Sequence, residues 1–311
     1  MTTSDNVSQL RLDRMRLGTA PDSWGVWFPD DPNQTPWHRF LDEAAEAGYS
    51  WIELGPYGYL PTDPKQLSDE LASRGLSLSG AAVFAGLHRG PDAFKQAVAD
   101  CRQVVDLITA LGAHHLILLP EGYTDLDGNI TQPVELGPDE WRDLVAGMSE
   151  LGRLLREESG VRLDFHPHAD SHVDTQERVV RLLEDTDPDT VSLCLDTGHI
   201  SYAGGDNLTI IQRFPERIGY VHLKQVNPAV VDQVQADNLC FAEAVRKGVM
   251  IEPPMGEPAM PPVLEALAAV DADLFAIVEQ DLYPCSPDVP LPIATRTRRY
   301  LEQCGLGARP D

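Results

Sequence analysis

Two short apolar runs, VSLCLD and IGYVHLK, end in residues able to do chemistry: Asp196 with His199, then His222 with Lys224. A Gly-Gly turn and a short helix-like segment lie between them, so strand, helix and strand follow one another within Val191 to Val226. Continuous aliphatic character with polar groups only at the carboxyl end is how buried parallel strands read. A right-handed βαβ unit would deliver the Asp and the His to one rim, where they could share a metal ion. The same kind of ending recurs: Glu53, Glu121, His166 with His168, and Glu279 each close an apolar run. A lone histidine at a strand end is more often a hydrogen-bonded structural residue than a ligand. Several strand ends carrying His, Asp or Glu in one chain are hard to explain by structure alone. Imidazole with carboxylate and no clustered cysteine suits one divalent ion, Mn²⁺ or Co²⁺ first, then Zn²⁺, Fe²⁺ or Mg²⁺.

Those residues need a scaffold that brings many strand ends together. From Arg16 onward the chain alternates eight times between a short apolar run and a longer amphipathic or capped segment. The predicted strands are Arg16 to Ala20, Ser50 to Leu54, Leu76 to Val83, His115 to Leu119, Val161 to Phe165, Val191 to Asp196, Ile218 to Leu223 and Leu274 to Glu279. Phe94, Ala97, Val98, Cys101, Val105, Ile108 and Leu111 recur at helical spacing, as do Trp141, Leu144, Val145, Met148, Leu151 and Leu155. Asp63-Pro64 reads as an N-cap followed by proline in the first turn, and Gly305 as a helix stop. Eight such repeats predict a (β/α)₈ TIM barrel, α/β in class, as a single domain over residues 15–311 behind a flexible N-terminus of residues 1–14. An open doubly wound sheet is the runner-up, but the first strand runs into APDSWGVW with no Gly-rich phosphate fingerprint. Two long loops, at about 121–138 and 227–260, are expected to cover the barrel mouth or make an interface.

The 311 residues carry 24 Lys+Arg against 49 Asp+Glu, a formal charge of -25. That surface repels nucleic acid and anionic membranes, so neither is an expected partner. No apolar stretch approaches the roughly 20 residues a membrane span needs, and the N-terminus has no apolar signal core. Five scattered cysteines read as reduced thiols, which predicts a cytoplasmic protein and leaves a homo-oligomer open.

The set LDTGH, YVHLK and IVEQD on the last three strands resembles the xylose-isomerase-like sugar isomerase/epimerase superfamily. The run from FHPHADSHVDT through LCLDTGH to YVHLKQV is most similar to the inosose dehydratases within it. The resemblance implies a divalent metal at the barrel mouth, held by Asp196, His222 and Glu279. The superfamily's usual fourth ligand is a glutamate ending the fifth strand, and His166 stands there instead. Two metal-bound glutamates serve proton shuttling in isomerases and epimerases, so the departure leans toward loss of water from a keto-inositol or related keto-sugar. A metal-dependent isomerase or epimerase of a free ketose or inosose is the alternative. The expected catalytic residues are His168 as acid, Glu53 or Glu279 as base, and Lys224. Trp24, His199, Lys224 and Arg296 are expected to bind a polyol or keto-sugar substrate, with Trp27, Tyr57 and Tyr59 as further candidate walls.

Overall fold

The computed structural model describes residues 12–270 and 272–307. Eight parallel strands close into a barrel in sequence order, β1 (Met15–Thr19), β2 (Trp51–Glu53), β3 (Ser77–Ala85), β4 (His115–Pro120), β5 (Arg162–Phe165), β6 (Val191–Asp196), β7 (Ile218–Leu223) and β8 (Leu274–Val278). Closure comes from five register pairs between β1 and β8, from Met15 opposite Leu274 to Thr19 opposite Val278. Each predicted strand falls on an observed one within one or two residues at either end. Glu279 lies one residue past β8 rather than in it, and its backbone N–H still donates to the Leu223 carbonyl at 3.2 Å.

The helices form where the apolar spacing and caps require them. Pro91–Ala110 buries Ala97, Cys101, Val105 and Ile108 on one face, and Pro138–Ser159 buries Trp141, Leu144, Met148, Leu151 and Leu155. Asp63 accepts the Gln66 backbone N–H at 2.7 Å and so caps Pro64–Ala72. Gly305, at φ 91°, follows the helix Pro290–Gln303. Among the described residues no helix is long and apolar enough to cross a membrane.

The barrel interior is filled rather than open. Ile117, Leu119, Cys194, Tyr220, Phe275 and Ile277 form one buried cluster, and the Tyr220 hydroxyl meets Ser79 Oγ at 2.7 Å. The carboxyl ends of the strands are the face where a barrel of this kind places its site.

Two expectations change, at the N-terminus and in the segment 227–260. The first eleven residues lie outside the described ones, but Leu12 is buried and Arg14 pairs with Asp273 at 2.8 Å, so order begins before Met15. Residues 121–138 are irregular, tied down where the Tyr123 N–H donates to the Asp170 carbonyl at 2.7 Å. The segment 227–260 is not a plain loop. It folds into helices Pro228–Asp237 and Phe241–Arg246, whose Val231, Val234, Phe241, Ala244 and Val245 make a satellite core with Val249 and Met250. Those apolar residues recur at three- and four-residue intervals behind an Asn227 cap and Pro228, which is helix chemistry.

Candidate metal centre

The motif LDTGH builds one wall of the mouth, and each residue has a separate job. Asp196 ends β6 and sits in register opposite His222 on β7. Its Oδ1 accepts the His199 N–H at 2.7 Å, which caps the following helical turn and leaves Oδ2 facing inward. Thr197 Oγ1 donates to the Lys224 carbonyl at 2.7 Å and lies 2.9 Å from the Lys224 N–H, clamping the end of β7. A Cβ on Gly198 would come within 2.5 Å of Lys224 Cγ, so only glycine leaves room for the lysine stem. β-Bulges next to Glu53 and Cys194 re-aim the strand ends on this side.

His166, Asp196, His222 and Glu279 each bring one ligand atom to a common point, all within 4.8 Å of one another. Asp196 Oδ2 lies 3.2 Å from His166 Nε2 and 3.7 Å from His222 Nδ1, and Glu279 Oε2 lies 2.9 Å from His222 Nδ1. His166 Nδ1 and His222 Nδ1 are buried without a hydrogen bond of acceptable geometry. The other nitrogen of His222, Nε2, meets Glu53 Oε2 at 2.9 Å, and both side chains are only 2% exposed. That carboxylate–imidazole pair is how a ligating histidine is held in orientation. Lys224 Nζ lies 3.2 Å from Asp196, 3.1 Å from Glu279 and 2.9 Å from Asp281. Three carboxyl groups (Asp196, Glu279 and Asp281) thus face one ammonium. Burial alone would push the Lys224 ammonium down, but Asp196, Asp281 and Glu279 outweigh it and hold it well above its ordinary value. Burial likewise opposes the Asp196 carboxylate, and Lys224 then His199 hold it well below the usual range. The unpartnered His222 Nδ1 beside two carboxylates, with His166 Nε2 next to one of them, fits a divalent cation of the kind that mixed imidazole and carboxylate ligands take.

Next to this cluster a second histidine pair is set by one peptide group. His168 Nδ1 lies 2.7 Å from the Ala169 carbonyl, which can only accept, so Nδ1 carries the proton. The Ala169 N–H donates to His199 Nδ1 at 3.2 Å, so the His199 proton sits on Nε2. The rings lie 4.2 Å apart with opposite tautomers: His168 presents a lone pair and His199 an N–H, the latter buried without a partner. Burial, followed by His166, lowers His168 to about 4. Both rings contact Phe241, at 5.2 and 4.9 Å.

A cavity of about 630 Å³ opens over these groups, bounded among others by Trp27, Tyr57 and Phe241. Glu53, His166, His168, His199, His222, Lys224 and Glu279 all reach it. Trp24 does not. It is wholly buried, donating through Nε1 to Glu43 at 2.8 Å and packing edge-on against Phe40, which makes it a core residue. Arg296 is also elsewhere, on the outer face of Pro290–Gln303, paired to Glu252 through two contacts of 2.9 Å. Tyr59 is buried with its hydroxyl on the Thr35 carbonyl, and Glu121 pairs with Arg89 at 2.7 Å. Three residues at the cavity carry no strong sequence signal. Asp281 anchors Lys224, Asp22 follows β1, and Phe241 reaches in from the 227–260 segment. Burial first, then Glu279, raises the Asp22 carboxyl well above its ordinary range.

The chain is 31% identical over 300 residues to the inosose dehydratase of Geobacillus thermodenitrificans, covering 94% of this chain and 98% of that protein. It is 31% identical over 294 residues to the inosose dehydratase of Lacticaseibacillus casei, covering 93% and 96%. In fold it is similar to the IOLI protein solved with a zinc atom, with a TM-score of 0.70 at 15% identity over 94% of this chain and 98% of that one. The family model described as "Xylose isomerase-like TIM barrel" matches residues 41–302, and the chain belongs to that family.

Proposed function

We propose that this chain is a metal-dependent dehydratase that removes water from an inosose, a keto-inositol. Its standing as an enzyme of the hydro-lyase type rests on relatives named inosose dehydratase that align over nearly its whole length. The observation that carries the metal-dependent form is the convergence of His166, Asp196, His222 and Glu279 at the floor of the cavity. A divalent ion held there, Mn²⁺ or Co²⁺ by ligand type, would supply Lewis-acid stabilisation to an oxygen beside the reacting carbon.

The chain's own groups supply the remaining parts. Elimination breaks a C–H bond next to the carbonyl and a C–O bond one carbon further, forms a carbon–carbon double bond and releases water. His168 Nε2, neutral and unprotonated by its tautomer, accepts the proton from the first carbon. His199 Nε2–H hydrogen-bonds the departing hydroxyl, which leaves as water with the proton that His168 took from carbon. In this reading His168 takes the base role rather than the expected acid role, and Glu53, paired with His222, serves as an orienting residue rather than the base. Lys224, tied to three carboxylates, holds a positive charge beside the developing oxyanion. Phe241 closes the wall over both imidazoles and keeps bulk water off them. All five cysteines are free, in keeping with a reducing, cytoplasmic setting.

Purified protein, scyllo-inosose and Mn²⁺ or Co²⁺ should give a product lighter by one water, with rising enone absorbance. A product of unchanged mass would overturn the dehydratase reading and favour an epimerase.

A further inference from the structure

We propose that Asp22 is a specificity-determining residue that accepts a hydrogen bond from one hydroxyl of the substrate ring. The proposal rests on the inosose reading and adds to it the contact that tells one ring position from another.

Asp22 sits in the short turn Pro21–Trp24, directly after β1, at the catalytic end of the barrel. The turn is fixed from both sides. Ser23 Oγ contacts the Val278 carbonyl at 3.3 Å and accepts the Gln280 N–H at 2.9 Å, tying the turn to the end of β8. Pro21 packs so closely on Gly55 that a Cβ there would lie 2.6 Å from Pro21 Cγ. The Asp22 carbonyl takes the Gly25 N–H at 2.9 Å, so the backbone closes the turn and the side chain is free of that duty. It borders the cavity, and its Oδ1 is buried with no hydrogen-bond partner.

The neighbouring donor that could satisfy Asp22 is already committed. Lys224 Nζ is held by Asp196, Glu279 and Asp281, all at 3.2 Å or less. Nor does Asp22 belong to the four side chains that converge as ligands. A buried acceptor without a donor is a group awaiting one. A polyhydroxylated ring brings O–H donors around its whole circumference. A site built to bind one such O–H discriminates strongly against the analogue that lacks it, because the acceptor is then left unpaired.

The test is a cycle between residue and hydroxyl. Metal-loaded wild type, Asp22→Ala and the near-isosteric Asp22→Asn are assayed with scyllo-inosose and its mono-deoxy analogues, and bound metal is measured for each protein. Asp22→Ala leaves the substrate hydroxyl unpaired and should raise KM for scyllo-inosose about 5- to 100-fold, the cost of an unsatisfied buried group, while Asp22→Asn, which keeps an acceptor oxygen, should raise it less. Metal content should stay at the wild-type level, and kcat should fall by less than KM rises. For one deoxy analogue the wild type should already be impaired, and the further effect of Asp22→Ala should shrink to about twofold or less. A penalty equal across all analogues, or none, would overturn the assignment while wild-type turnover left the dehydratase reading standing. A wild type that neither binds nor dehydrates scyllo-inosose would remove both.

Discussion

Replacing Glu53 separates two roles that its position allows, orienting a metal ligand or acting on the substrate. Glu53 Oε2 meets His222 Nε2 at 2.9 Å, with both side chains 2% exposed. A hydrogen bond to a charged, buried partner contributes about 1.5–3 kcal/mol, and every 1.4 kcal/mol is tenfold in an equilibrium constant. Glu53→Gln keeps the shape and a carbonyl acceptor but loses the charge, which removes roughly half of that interaction. Metal affinity should then weaken about three- to tenfold. Glu53→Ala leaves the buried imidazole N–H without a partner, and the loss should reach about 10- to 100-fold, as expected for a residue orienting a ligand. Competition of Co²⁺ between the protein and a chromophoric chelator measures this directly, without reference to turnover. At saturating metal, Glu53→Gln should recover most of its kcat. If both variants bind Co²⁺ as wild type does while kcat collapses at saturation, Glu53 acts on the substrate and the orienting role is wrong.

Asp196→Asn and His222→Ala should lower bound metal and activity together, and chelation should abolish turnover until Mn²⁺ or Co²⁺ is returned. Elemental analysis of dialysed protein checks the first, and full metal occupancy in either variant would exclude that residue as a ligand. Phe241→Ala should destabilise the fold by about 3–5 kcal/mol, since Phe241 is 4% exposed within the 227–260 core. Below its lowered Tm it should also exchange the substrate's α-proton with deuterated water faster, relative to product formed, than wild type does. Unchanged partitioning would mean that the segment does not shield the reaction.

The barrel was legible because β4, β7 and β8 above all are nearly continuous apolar runs with polar chemistry only at the catalytic rim. Asp196 and His222 could be paired from sequence since two neighbouring runs end on them, and register places them side by side. What escaped the sequence depends on partners far along the chain. Trp24 looks like a pocket wall until Glu43 and Phe40 are seen to claim it. Arg296 looks free until Glu252 faces it. Phe241 lies in a stretch that breaks the strand–helix rhythm, so nothing local shows that it reaches His168 and His199. Asp22 and Asp281 each lie three residues beyond their strands, where the apolar pattern has already stopped. The part played by Ala169 is carried by its backbone, which residue type does not encode.

That backbone contact bears on why the site favours elimination. Reversible epimerisation needs proton acceptors on both faces of one carbon, a symmetry that two metal-bound glutamates supply and that His166 interrupts. Here the Ala169 peptide gives its carbonyl to one imidazole and its N–H to the other, so the two rings necessarily differ. While both are neutral, one presents a lone pair and the other a proton. Elimination has the same asymmetry, since a proton leaves one carbon and a hydroxyl leaves the next. An unsymmetrical pair of neutral histidines therefore supports loss of water, and a metal held by His166, Asp196, His222 and Glu279 would be left the single task of stabilising the carbonyl oxygen next to the carbon that loses its proton.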